Sequence, residues 1–169
     1  ESEGLPCLMI SQNFEFLRPN HKELADLGGF AERYAASDHS SCLVKLRTFA
    51  EAMVKAVFAH QKLEAAYQSN LNDLLNDSSF KSITPAVVQE KLHLLRIKGN
   101  HAAHGSLHPT SDEQILELVR ESHNLARWFA IAVDGGKLEA IPKFSKPTST
   151  SEESKANLKR EKKAVLQKL

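Results

Sequence analysis

The chain has 169 residues, of which 41% are apolar and 25% charged, enough for one ordinary domain with a real core and an appendage. That balance excludes a disordered or fibrous chain, and no apolar run approaches the roughly 18–20 residues that span a bilayer. Residues 142–169 hold eight Lys/Arg against three Glu, a net +5, while residues 1–141 hold fourteen against eighteen Asp/Glu, a net −4. A mildly acidic body with a basic tail is the wrong distribution for gripping a nucleic-acid backbone over a broad face.

No basic stretch followed by an apolar one opens the chain, so no secretory signal is read and a cytoplasmic location is expected. The first residue is Glu1 rather than Met, which points to a gene product that starts further upstream. Cys7 and Cys42 are expected to be free thiols, and no Cys-x-x-Cys pair offers a structural zinc site.

Period-2 alternation is absent and helical spacing recurs, so the expected fold is all-α: a bundle of about five helices, then a linker and a charged C-terminal helix. Residues 1–21 read as an N-terminal tail. The spacing of Leu24, Leu27 and Ala31 with Tyr34 or Ala35 predicts a first helix over about Lys22 to Ala36. Gly28-Gly29 in its middle implies a bend or the close approach of another helix. Asp38-His39-Ser40 has N-cap character, and Leu43, Leu46, Phe49 or Ala50, Met53 and Val57 carry the strongest helix, ending near His60. Arg47 and Glu51 sit four apart on its surface. Leu71–Leu75 reads as a short helix ended by Asn76-Asp77-Ser78-Ser79.

Thr84-Pro85 then opens a helix whose inner stripe is Val88, Leu92, Leu95, Gly99 and Ala102 or Ala103, stopped at His104-Gly105. Ser111-Asp112-Glu113 caps the last body helix, with Ile115, Leu118 or Val119, Leu125, Trp128 or Phe129 and Ala132 on its inner face. The bundle is thus expected over residues 22–136. A Pro/Ser/Thr linker covers 137–151, and 152–169 starts a charged helix or coiled coil that continues into domains beyond this chain.

One stretch concentrates polar chemistry. Steps of four residues keep Arg96, Asn100 and His104 on one gently curving stripe beside Gly99. Such a cation, amide and imidazole could act on a phosphate ester, with His104 as acid or base. They could equally form an interior network that ties the helix end to its neighbours, and the alanine-rich surroundings favour that second reading. Arg96, Gly99, Asn100 and His104 are therefore read as an interaction patch, with Arg96, Asn100 and His104 as weak catalytic candidates. His101, His104 and His108 lie at i, i+3 and i+7, but Gly105 and Pro109 break the geometry and no carboxylate is suitably placed, so no metal is expected. No phosphate-binding loop, no nucleophile elbow and no strand-borne acidic pair of a metal-dependent nuclease is present, so no cofactor is expected here.

Five ordered stretches carry a resemblance. They are Asn13-Phe14-Glu15-Phe16-Leu17, then Ala31-Glu32-Arg33-Tyr34, then Cys42 to Glu51, then Leu92 to Asn100 with Ala103-His104, and finally Leu125-Ala126-Arg127-Trp128-Phe129. Together they resemble the helical N-terminal domain of the R subunit, the motor and endonuclease subunit, of type I restriction enzymes. That resemblance covers about residues 13–134. It implies a non-catalytic assembly or regulatory domain docked to a methylase–specificity core, inside a parent enzyme that binds DNA and uses ATP and Mg2+ to translocate and cleave it.

The domain is also similar, more distantly, to HEPN bundles, whose active ribonucleases place an Arg next to a polar residue and a His four residues after that. Asn100 and His104 match the last two, but the Arg position falls on Gly99, with Arg96 a turn earlier. The resemblance leaves two alternatives: a metal-independent ribonuclease working as a homodimer, or a helical adaptor unrelated to restriction.

Overall fold

A computed structural model describes residues 9–106, 108–148 and 163–167. Among them the expected all-helical bundle is present and no strand occurs. Six α-helices follow in order: α1 (Lys22–Tyr34), α2 (His39–His60), α3 (Leu71–Asn76), α4 (Ser78–Ile83), α5 (Ala86–Ala103) and α6 (Asp112–Ala132). Short 3-10 turns at Glu15–Leu17 and Leu138–Ala140 bracket them. Among the described residues no helix is long and apolar enough to cross a membrane.

Helix α2 is the central pillar, with α1 and α5 packed along much of its length and α3 and α6 touching it more lightly. Its sequence explains that place. Leu43, Leu46, Ala50, Met53 and Val57 are buried, and so are Cys42, Phe49, Val54 and Phe58, which widens the apolar surface well beyond one stripe. Each of its large apolar side chains contributes about 1.5–3 kcal/mol by leaving water. Asp38 starts the helix, its carboxylate accepting from the Ser41 amide at 3.0 Å. Cys42 is a buried free thiol whose pKa burial pushes up to about 12, so it is inert at neutral pH. Cys7 lies outside the described residues.

Helix α5 buries Val88, Leu92, Leu95, Gly99 and Ala102, the stripe expected from spacing. It starts at Ala86 with Pro85 as N-cap, one residue later than expected, and the buried Thr84 hydroxyl makes no capping bond. Gly105, at φ +67°, ends it as anticipated, a left-handed position that costs glycine little. Helix α6 opens on a full capping box, Ser111 accepting from the Gln114 amide while the Gln114 side chain accepts from that of Ser111. Its inner face carries Ala130 rather than the exposed Ala132, and the buried Val133 continues it past the helix end.

Helix α4 was hidden in what reads as a breaker. Asp77 both ends α3 and starts α4, its carboxylate accepting from the Ser79 and Phe80 amides at 2.9 and 3.0 Å. That turn drives Phe80 into the core, stacked on Phe58 at 5.7 Å.

The largest departure from expectation is at the two ends of the bundle. From Met9 onward the segment read as a tail is built into the core: Phe14 and Leu17 are fully buried, and Met9 and Asn13 nearly so. Gly28-Gly29 exist for this segment. A Cβ on Gly28 would overlap the Phe14 ring, and one on Gly29 would lie 2.8 Å from Met9 Cγ. The close approach is real, but the partner is the N-terminal segment, not another helix. Arg18 pins the same segment, donating to Glu15, to Asp26 at 2.8 Å and to the Met9 carbonyl. Its guanidinium holds the Glu15 carboxyl below the usual range, and Lys22, then Arg18, do the same for Asp26.

Likewise the stretch read as linker folds back onto the body, with Ile141 and Phe144 packed against the core. Most of the charged helix expected over 152–169 lies outside the described residues. Residues 163–167 are helical, with Val165 and Leu166 exposed.

Candidate functional site

The Arg96–Gly99–Asn100–His104 stripe lies on the C-terminal half of α5, and the packing of α2 decides what each residue can do. Gly99 faces α2 at the crossing: a Cβ there would collide with the Arg47 side chain and lie 2.9 Å from the Leu43 carbonyl oxygen. Glycine is what lets two backbones approach this closely. Asn100 is half-buried and His104 is exposed at the helix C-cap. Neither side chain makes a hydrogen bond to another described residue, so the interior network anticipated for them is not what holds the crossing. Gly99 permits the close approach, and the buried Leu92 and Leu95 lie on the same helix face.

Arg96 and Arg47 each bury an Nε atom that lacks a partner among the described residues. Burial, then the Arg96 charge and that of Lys81, lower the pKa of the nearby His93. His101 and His108 line a groove of about 380 Å3 between α5 and α6, together with Glu117 and Glu121, while His104 is not part of it. Among the described residues no three His, Cys, Asp or Glu side chains converge as metal ligands.

A second constellation was not visible in the sequence as a site. Glu32, on α1, is buried and accepts from four donors of the N-terminal segment: the Ser11 hydroxyl, the Gln12 and Asn13 amides at 3.0 Å each, and Asn13 Nδ2 at 2.7 Å. Burial raises its pKa above the ordinary glutamate value, and those donors hold the rise back.

Asn13 and Gln12 then reach the folded-back segment. Asn13 Nδ2 donates to the Ser145 carbonyl and its Oδ1 accepts from the Ser145 amide, both at 2.9 Å. Gln12 Nε2 donates to the Lys146 carbonyl at 2.9 Å and to the Ser145 hydroxyl at 2.6 Å, while its Oε1 accepts from the Thr148 amide at 3.2 Å. Beside them Phe144 lies under the Arg120 guanidinium, 4.9 Å from its carbon, and 5.7 Å from the His123 ring.

His123 is the unexpected residue of α6. It is 1% exposed and sits among Phe14, Phe16 and Phe144 at 6.1, 5.9 and 5.7 Å. The Pro142 carbonyl favours its charged form, yet neither ring nitrogen completes a hydrogen bond of full geometry. Burial, then the Arg127 charge, lower its pKa.

A histidine whose folded pKa is depressed contributes stability present above its ordinary value and lost as pH falls through the window beneath it. The Tm is therefore expected to drop on acidification below about 6.5, the ordinary histidine value. His123→Leu should remove that part of the drop and cost less than about 1 kcal/mol at neutral pH, since neither ring nitrogen completes a hydrogen bond of full geometry. Thermal melts of both proteins at about pH 7 and about pH 5 check this; an unchanged acid slope in the variant refutes it.

The arrangement thus defines a helical-bundle domain with a tight glycine crossing and a clasp joining its two ends. The family model for a domain of unknown function, DUF4145, matches residues 30–133, and the chain belongs to that family. Comparison with curated proteins and with solved structures gives no match.

Proposed function

We propose that this bundle is a docking module, the N-terminal assembly domain of the R subunit of a type I restriction enzyme, which it attaches to the methylase–specificity core. The observation that carries this reading over a ribonuclease is Gly99. It stands where the ribonuclease pattern needs its arginine, and its Cβ position is filled by Arg47 and Leu43 of α2. A position spent on a helix crossing has no room for a reacting guanidinium. The five ordered sequence stretches support the restriction assignment.

In this reading ATP, Mg2+ and the DNA chemistry belong to other domains of the parent, since no phosphate loop or convergent ligand set stands among the described residues. The test is size-exclusion of this chain mixed with a cognate methylase–specificity core at about 10 μM each. Co-elution is expected, because a stable interface of standard size holds at such concentrations. Separate elution of the two overturns the proposal.

One observation favours the second reading, metal-independent RNA cleavage. Arg47 and Arg96 bring two cations with partnerless buried Nε atoms to the neighbourhood of Gly99 and Asn100. Incubation of the chain with single-stranded RNA separates the two readings. The docking assignment expects uncut RNA from the wild type and from His104→Ala alike. Cleavage by the wild type that His104→Ala abolishes, in a protein with an unchanged melt, decides for the ribonuclease.

A further inference from the structure

The clasp reads a peptide backbone, and it does so with side chains that have no sequence preference. Asn13 engages both the N–H and the C=O of Ser145. Gln12 engages the next carbonyl, Lys146, and the Thr148 amide. This is the pairing an added strand would give, supplied by two adjacent side-chain amides. The orientation of the Asn13 amide is fixed from behind, because its Nδ2 also donates to the buried Glu32 carboxylate at 2.7 Å. On the Asn13 side the receiving amide is therefore oriented by α1.

Next to these amides is a nest of aromatic edges in which Phe14 and Phe16 flank His123, and Phe144 packs against the His123 ring. The nest contains a 99%-buried imidazole left without a full hydrogen bond. The seated segment offers it only the Pro142 carbonyl. Beyond Ser145 a groove of about 180 Å3 remains open between the end of α1 and the start of α6, with Asp112 and Glu113 on its wall beside Lys146.

We propose that Gln12, Asn13 and the Phe14–Phe16–His123 nest form a binding site for an extended peptide with an aromatic residue and a lysine two positions after it, which Phe144–Thr148 occupy as an internal, displaceable ligand. The aromatic residue fills the nest and the backbone pairs with the two amides. Lys146, two residues after Phe144, shares the groove with Asp112 and Glu113, with Arg33 also on the wall. The partner is a protein segment of that chemistry, and the site is closed to it while the chain's own segment is seated. The inference holds for any larger assembly in which the domain serves.

The experiment uses the whole chain. Phe144→Ala removes the internal anchor, and a fluorescent peptide of sequence IPKFSKPT, copied from residues 141–148, is titrated against it. The variant is expected to bind the peptide at least about tenfold more tightly than the wild type, whose own segment competes and leaves only a fraction of sites open. The same peptide with Ala for Phe should not bind, and adding Asn13→Ala to the variant should abolish binding. A folded Phe144→Ala protein that fails to bind the peptide overturns the proposal.

Should that variant fail to fold, hydrogen exchange on the wild type decides. The Ser145 and Thr148 amides are expected to exchange through local opening, faster than core amides of α6 such as Leu125. If they exchange only with the core, the segment is structural and the site is not displaceable.

Discussion

Gly99→Arg is expected to abolish cooperative folding. The substitution restores, on paper, the arginine of the ribonuclease pattern beside Asn100 and His104, so its outcome bears on function as well as stability. The Cβ alone would sit 2.9 Å from the Leu43 carbonyl oxygen, a backbone atom that moves only if α2 moves. The Arg47 side chain closes the other side. Overpacking at such a point costs about 1–3 kcal/mol before any polar atom is placed. A guanidinium buried there without a carboxylate adds several kcal/mol more. Together these approach the roughly 5–15 kcal/mol that hold a domain together.

Gly99→Ala separates the terms. Alanine gains about 1 kcal/mol of helix propensity over glycine. It still meets the Leu43 carbonyl, so a net loss of about 1–2 kcal/mol is expected. Urea melts followed by circular dichroism read both variants. A Gly99→Arg protein with a wild-type midpoint would show that α2 and α5 can part. The packing argument against a reactive arginine would then fail with it.

What the sequence could show follows from what periodicity measures. Residues that recur on one face of a long helix announce themselves, so the buried stripes of α2 and α5 were legible residue by residue, Val88 to Ala102 included. Contacts between distant segments leave no period. Phe14 and Leu17 lie in a 3-10 turn too short to show one, and nothing local says that Gly28 is small because Phe14 lies on it. The pair Gly28-Gly29 did signal a close approach, but not its partner.

The same limit hid the clasp. Gln12, Asn13 and Ser145 are ordinary loop residues until the fold brings positions 132 and 133 apart into contact. His123 fell within a recognised helix, yet the rings around it come from the N-terminal segment and from Phe144 in a stretch rich in Pro and Ser. Of the candidate stripe, the sequence placed four residues along the end of one helix and left their partition open. Packing assigns Gly99 to the crossing and leaves His104 in water.

Phe14→Ala is expected to lower stability by about 3–5 kcal/mol, the usual cost of truncating a fully buried phenylalanine. For a chain of this size that is a fall in Tm of roughly 6–20 °C. The residue is 0% exposed, meets Phe49 edge-on at 5.2 Å and covers Gly28. A true tail residue would cost next to nothing, so the measurement tests whether the bundle begins at Met9 or at Lys22. Phe16→Ala, at a half-buried ring, serves as the milder comparison.

A double-mutant cycle sharpens the test. Gly28→Ala alone drives a methyl into the Phe14 ring and should destabilise by about 1–3 kcal/mol. In the Phe14→Ala background the obstacle is gone, and the same change should instead stabilise α1 by up to about 1 kcal/mol through its better helix propensity. The two substitutions should therefore couple by about 1–4 kcal/mol, with the double variant more stable than the sum of the singles. Additive effects would mean that Phe14 and Gly28 do not touch, and the N-terminal segment would have to be placed elsewhere on the bundle.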